Sequence, residues 1–435
     1  MTEYTSEANE RLLKLTKKAT SPFQCVQAAE EYLKEYGFFE LDEQEKWPIR
    51  RKGTYYVKHH DSTLVAFTIG ESFRAQDPFR IAAAHTDFPG LRIKQKPDMK
   101  ERSYAKINVE VYGGAILNTW LDRPLSAAGR VVVKGEHVFF PKVYLIDLKE
   151  PLFVIPNLAI HMNREVNKGV ELKRQIDMIP LFGTQSGGAK EAEEETFLAY
   201  LAKTLGTDKK EILDYELNLY PVEEGLELGL NKTLLSSPRL DNQSSVSALL
   251  YGLTHGKRPE GCNVIALFDH EEIGNHTRQG AGSMLLSILL RKLYESLGIS
   301  DNLCNVAILN SILLSVDVAH GHHPNQIGKS DPTNKALLNH GVVIKEACSQ
   351  SYITDSEAIA IVEQICLAKG ISYQKFLNRS DGTNGGTLGS AATSFLPMRG
   401  VDIGVPILAM HSARELMGSR DQQELERLVE AFFTL

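Results

Sequence analysis

The chain lacks an excess of either charge, a long apolar run and any organised set of cysteines. Its 435 residues carry 48 Lys and Arg against 55 Asp and Glu, a net charge of −7, with a pI of about 6.0. No basic surplus therefore points to nucleic acid or an anionic membrane as a partner. The five cysteines, Cys25, Cys262, Cys304, Cys348 and Cys366, are odd in number and scattered, with no CxxC pair. That pattern excludes a disulfide framework and a thiolate zinc knot, and it leaves reduced, small apolar side chains. No apolar stretch approaches the roughly 20 residues that a bilayer-spanning helix needs. Residues 1–20, MTEYTSEANERLLKLTKKAT, have acids interspersed and no apolar core of a secretory signal. The expected location is the cytoplasm. There is no repeat at a period of 20–50 residues. The glycine-rich DGTNGGTLG at 381–389 matches neither GxxxxGK[ST] nor GxGxxG, so it reads as a backbone-lined pocket wall and not as a nucleotide cradle.

What is present is an ordinary globular composition, 43% hydrophobic and 24% charged. At roughly 150 residues per domain the length suggests about two or three domains, or one large domain with an insert. Residues 26–36 have a helical pattern, 53–59 and 63–69 have strand composition, and 80–84 run apolar into His85. From about 91 to 230 come short β-rich pieces (106–111, 130–133, 137–146) broken by Gly and Pro, then a polar stretch at 183–195. After 231, helical segments (244–254, 281–297, 356–368) alternate with apolar strands (263–268, 307–316, 402–410). Alternation of this kind implies an α/β fold with a mostly parallel sheet flanked by helices. The expected organisation is a split domain, 1–90 with 231–435, interrupted by a smaller β-rich insert at 91–230.

Open α/β sheets bind ligands beyond the carboxyl ends of their strands. Four apolar strands here end in metal-type residues: IAAA in His85-Thr86-Asp87, NVIALF in Asp269-His270-Glu271-Glu272, ILLSV in Asp317, and VPILAM in His411. A fifth group, SPRLDN at 237–242, places Asp241 in a turn at a helix start. Taken singly, each residue is a turn former or helix cap. Taken together they favour a site, because capping gives no reason for His, Asp, Glu-Glu, Asp and His all to end strands of one sheet.

Imidazole and carboxylate without thiolate suit divalent zinc first, with cobalt or manganese as alternatives. Two histidines and three carboxylates exceed one open tetrahedral site, and they suffice for two ions about 3.5–4 Å apart with one bridging carboxylate. Of the adjacent glutamates, one can ligate while the other stays free as a general base. Asp87, two residues past His85, fits a carboxylate that orients the imidazole, or equally a turn former before Phe88-Pro89-Gly90. The tract DVAHGHHPN at 317–325 supplies hydrogen-bond donors to the site, or alternatively a storage-type metal tract.

These residues stand within long segments that resemble the aspartyl aminopeptidase family of dinuclear zinc metallopeptidases: AAAHTDFPG at 82–90, WLDRPLSAAGRVVV at 120–133, IPNLAIHMNREVN at 155–167, SSPRLDNQSS at 236–245, FDHEEIGNHT at 268–277, SVDVAHGHHPN at 315–325, GVVIK at 341–345 and LAMHSARE at 408–415. The resemblance covers nearly the whole chain. It implies a zinc-peptidase fold and removal of an N-terminal residue, typically acidic, from peptides. It assigns His85, Asp241 and Asp317 to one zinc and Asp241, Glu272 and His411 to the other, with Asp241 as the bridge. Glu271 would be the general base, Asp87 the orienter of His85, and His323 a stabiliser of the oxyanion. His161 would reach the substrate from a neighbouring subunit's insert, and the family's assembly is a dodecamer.

Departures bear on specificity. Gln243 follows RLDN where many relatives carry an apolar residue, and 378–389 keeps the family's R-x-D element, with Asp381, around a different middle. Lys345 can supply a cation for an acidic substrate side chain, or be a surface strand lysine. A neutral or broader preference therefore stays open, as do a deacylase acting on non-peptide amides and a peptide-binding assembly without turnover.

Overall fold

The structure is a computed structural model and describes residues 3–184, 196–382 and 385–435. Its contacts divide the chain into two compact units: Met1–Phe88 with Gly225–Met410 and Glu415–Leu435, and Pro89–Glu224 with His411–Arg414. The first unit therefore resumes at Gly225 and not at 231. Strand Leu226–Leu228 pairs with Leu234–Ser237 and draws 225–230 into it.

The first unit is built on a nine-stranded sheet in the order Phe39–Glu40, Thr54–His59, Thr63–Ile69, Cys262–Phe268, Phe79–His85, Ile312–Val316, Arg399–Gly404, Val342–Glu346, Tyr373–Leu377. Five of its eight pairings are parallel and three antiparallel, so the expected mostly parallel α/β sheet is what forms. Cys262–Phe268 is buried at every position, as a strand covered on both faces must be. Alternation along a central strand shows the two covers. Ala82 and Ala84 join a core with Leu249 and Leu253 of helix Leu240–His255 and Leu425 and Leu428 of helix Asp421–Phe432. Ile81 and Ala83 join the opposite core with Leu286 and Leu290 of helix Leu285–Ser296.

Two expected strands come out differently. Residues 307–309 end helix Asp301–Leu309, and the strand begins only at Ile312. A continuous apolar run does not by itself distinguish helix from strand. The run 402–410 is two strands, Arg399–Gly404 in the nine-stranded sheet and Pro406–Leu408 in a five-stranded sheet with Ala319–His320, Glu415–Gly418, Leu234–Ser237 and Leu226–Leu228.

The second unit has an antiparallel six-stranded sheet in the order Phe140–Asp147, Leu125–His137, Ile212–Pro221, Gly90–Glu101, Tyr104–Tyr112, Leu181–Thr184. Its own core gathers Trp120, Phe153, Phe197 and Leu217. The β-rich piece at 137–146 holds the turn after Leu125–His137 and most of the strand Phe140–Asp147 that pairs back on it. Most of the polar stretch 183–195 lies outside the described residues. Among the described residues no helix is long and apolar enough to cross a membrane.

One close approach fixes a ligand-bearing strand end. A Cβ placed on Gly404 would stand 1.7 Å from the carbonyl oxygen of Asp317, while the Asp317 N–H donates to the Ile403 carbonyl at 2.9 Å. Gly404→Ala is therefore expected to cost about 1–3 kcal/mol or more in urea unfolding. Gly328→Ala, with nothing within 4 Å, should stay within about 0.5 kcal/mol of wild type.

Candidate metal centre

Parallel strands deliver their last residues to one edge, and the first unit's chemistry lies there. His85, the final residue of Phe79–His85, is 1% exposed. Its Nε2 lies 3.2 Å from Asp241 Oδ1 and 3.4 Å from Asp317 Oδ1. Its Nδ1 faces the Asp87 carbonyl oxygen at 3.0 Å and Asp87 Oδ1 at 3.4 Å. Ligand atoms of His85, Asp241 and Asp317 all lie within 4.8 Å of one another, and so do those of His85, Glu271 and Glu272.

Main-chain anchors hold each of these groups. The buried carboxylate of Asp87 accepts the N–H of Glu271 through Oδ1 and that of Glu272 through Oδ2, both at 3.1 Å. It thereby caps the short 3₁₀ turn Glu271–Ile273, whose entry residue His270 takes a left-handed φ of 64°. The Asp241 N–H donates to Glu415 Oε2 at 3.0 Å. Gln243 Nε2 donates to the Thr86 carbonyl at 3.3 Å and its Oε1 accepts from the Cys25 thiol at 3.2 Å. The Lys345 ammonium donates to the carbonyls of Asp317 and Val318 at 3.2 and 3.1 Å.

The electrostatics are those of crowded acids. Burial pushes the Glu271 carboxyl up to about 8; His85 opposes this, and Asp317, Asp87 and Asp241 add to it. Glu272 is raised well above the usual carboxylate range by burial and then by Asp241. Burial alone would lower His85, but its contacts with Asp241, Asp317 and Asp87 outweigh that and raise it strongly. Carboxylates packed this tightly around one imidazole, with no thiolate among them, have the donor chemistry that a hard or borderline divalent cation relieves.

His411 opens the 411–414 segment of the second unit, one peptide bond beyond Met410 of the first. His161, His323 and Asp381 are in none of the close donor sets found among the described residues. His161 is exposed in a turn of the second unit. His323 is exposed, and its Nδ1 accepts the Asn325 N–H at 3.2 Å. Together with Asp381, Arg379, Lys329 and His320 it lines a cleft of about 690 Å³. Asp381 makes a two-pronged ion pair with Arg379 at 2.8 and 2.6 Å. Among the described residues no close set of three metal-type donors includes His320, His322 or His323, so the storage-tract reading finds no support. Lys345 is not a surface lysine: it is 1% exposed. Glu415 went unread in the sequence. Its one signal was its place within LAMHSARE, four residues past His411.

Comparison with known proteins gives a consistent answer. The profile of the aminopeptidase I zinc metalloprotease (M18) family matches residues 15–433. A probable M18 family aminopeptidase 2 of Clostridium acetobutylicum is 44% identical over 430 residues, covering 99% of each chain. Among solved structures, one from the Ape4 and Nbr1 complex superposes with a TM-score of 0.93 at 32% identity, covering 100% of this chain and 87% of that one. The S. cerevisiae mApe1 dodecamer superposes at 0.82 with 26% identity, covering 99% and 97%. With a family match running almost end to end and a buried acid and imidazole cluster of the kind a metal requires, the chain belongs to the M18 family of zinc metalloproteases and is an aminopeptidase.

Proposed function

We propose that the chain removes a single N-terminal residue, preferably Asp or Glu, from peptides at a dinuclear metal centre. The observation that carries this reading is that Asp241 and Asp317 on one side, and Glu271 and Glu272 on the other, each close a set of metal-type donors with the buried His85. His85, Asp241 and Asp317 would hold one ion, and Asp241, Glu272 and His411 the other, with zinc the best match and cobalt or manganese compatible. Bound there, such ions would lower the pKa of water and polarise the scissile carbonyl. Glu271, outside both ligand sets, would serve as the general base that accepts a proton and passes it to the departing amine. Asp87 keeps the imidazole of His85 oriented and, through the same carboxylate, fixes the turn that presents both glutamates.

The remaining assignments concern the substrate. His323 hydrogen-bonds the developing oxyanion. Lys345, buried and bonded to the carbonyls of Asp317 and Val318, supplies the positive charge that favours a substrate carboxylate. Asp381, paired with Arg379 at the cleft, shapes the path of the peptide. His161 reaches the substrate from a neighbouring subunit of a homo-oligomer, a dodecamer by analogy with mApe1. An edge strand supports assembly: among the described residues Phe140–Asp147 borders its sheet, and Val138, Phe139 and Phe140 are 92%, 82% and 72% exposed. Five free cysteines, four of them buried, support a reducing cytoplasmic setting.

Profiling aminoacyl anilides across all side chains, with metal counted on the same sample, tests this. Aspartyl and glutamyl anilides should turn over fastest, and chelation should abolish activity until metal is restored. Equal rates for neutral residues would remove the acidic preference, and full activity in metal-free protein would remove the mechanism. Glu271→Gln should keep both ions and lose roughly a hundred-fold or more in kcat. A variant as active as wild type would take Glu271 out of the proton path. Burial and crowding raise Glu271 to about 8, so it holds a proton at neutral pH, and burial shifts Glu272 in the same direction. Metal uptake should therefore release protons at pH 7, and affinity should climb as pH rises toward 8. Calorimetry in two buffers of different ionisation enthalpy reads the release directly, and a proton-neutral titration at pH 7 would contradict it.

A further inference from the structure

Asp402 is a fully buried carboxylate outside the ligand set, and its position is unusually well specified. It lies on strand Arg399–Gly404 directly opposite Lys345 on strand Val342–Glu346 in an antiparallel pair. Residues so paired share a face, with Cβ atoms about 4.5–5.5 Å apart. Oδ2 of Asp402 accepts the Ile353 N–H at 2.7 Å and Oδ1 accepts the Thr387 hydroxyl at 2.5 Å, while its own N–H donates to Thr354 Oγ1 at 2.8 Å. The Ile353 N–H and the Thr387 hydroxyl meet the carboxylate as an acceptor, and the buried Lys345 ammonium favours its charge where burial opposes it. That ammonium donates to the main-chain carbonyls of Asp317 and Val318, and so grips the backbone that presents Asp317.

We propose that Asp402 is a positioning residue for the metal centre, acting through Lys345 on the backbone of Asp317. The inference rests on the reading of Asp317 as a metal ligand. A buried lysine without a counter-charge is costly, and a lysine that withdraws or reorients frees the Asp317 and Val318 carbonyls from their common donor. Thr387 and Ile353 act one step further out: they keep the Asp402 carboxylate facing Lys345.

A double-mutant cycle on metal affinity tests it, read by competition between the full-length protein and a chromophoric zinc chelator. Asp402→Asn and Lys345→Met should each weaken zinc binding ten- to a hundred-fold, as loss of a ligand's supporting partner does. The double variant should bind no more weakly than the weaker single. Wild-type affinity in Asp402→Asn, or losses that multiply in the double variant, would overturn the proposal. Wild-type protein that binds no zinc would instead remove the metal reading itself. Circular dichroism checks folding. If Asp402→Asn does not fold, Thr387→Val replaces it in the same cycle: it should weaken binding alone and add nothing to Lys345→Met, and additivity there is equally fatal.

Discussion

The arrangement depends on one electrostatic constraint: five carboxylates, those of Asp87, Asp241, Glu271, Glu272 and Asp317, crowd about the imidazole of His85 in a largely buried pocket. Charges of one sign cannot all be ionised at such range in a low-dielectric site without a counter-charge. Burial and mutual repulsion accordingly raise both glutamates. Divalent cations answer the same demand with fixed positive charge. The local folding of the strand ends is thus arranged around a charge that the polypeptide does not itself carry.

Such crowding is tolerable only if the acids cannot move apart, and the anchors that prevent this come from distant segments. Asp87 holds two main-chain N–H groups about 184 and 185 residues away in sequence, Glu415 holds the N–H of Asp241 from 174 residues away, and Gln243 ties the Thr86 carbonyl across 157. These are bonds to backbone, which lacks the rotamer freedom of side chains, so ligand positions inherit the stiffness of the sheet. Gln243 also accepts from Cys25 on helix Pro22–Glu35. The N-terminal helices thereby bear on the turn between His85 and Asp87.

How much of this could be read from sequence follows from the same distinction. The strand ends were legible because strands buried on both faces are apolar throughout and change abruptly to His, Asp or Glu where they leave the sheet, as at IAAAH and NVIALFDHEE. The second unit's β character was legible from short runs broken by Gly and Pro. What stayed hidden was whatever tertiary pairing decides. Residues 307–309 look like the start of the strand that follows, yet Asn310 and Ser311 separate a helix from it. Lys345 looks like a surface residue in a strand, because nothing local announces that its ammonium ends on two carbonyls 27 and 28 residues earlier. Glu415 holds the N–H of Asp241, and a backbone donor leaves no trace in residue identity.

The region around Asp317 shows why those hidden residues are needed. Two neighbouring chains leave the nine-stranded sheet at the same level: Ile312–Val316 is followed by Ala319–His320, and Arg399–Gly404 by Pro406–Leu408, with the second pair joining the five-stranded sheet. N–H groups of the first chain bond the second across the crossing, from Asp317 N–H to Ile403, Ala319 N–H to Val405 and Gly321 N–H to Ile407. Asp317 is displayed where the two sheets part. The chains approach so closely there that only glycine fits at 404. Carbonyls at a parting of sheets lose the strand partner that would otherwise accept them into a ladder, and buried carbonyls need a donor. Lys345 supplies it to Asp317 and Val318 together, which no single N–H could do, and its charge in turn requires the carboxylate across the strand. The divergence of two sheets that exposes a metal-type side chain thus creates the polar gap that a buried lysine and aspartate fill.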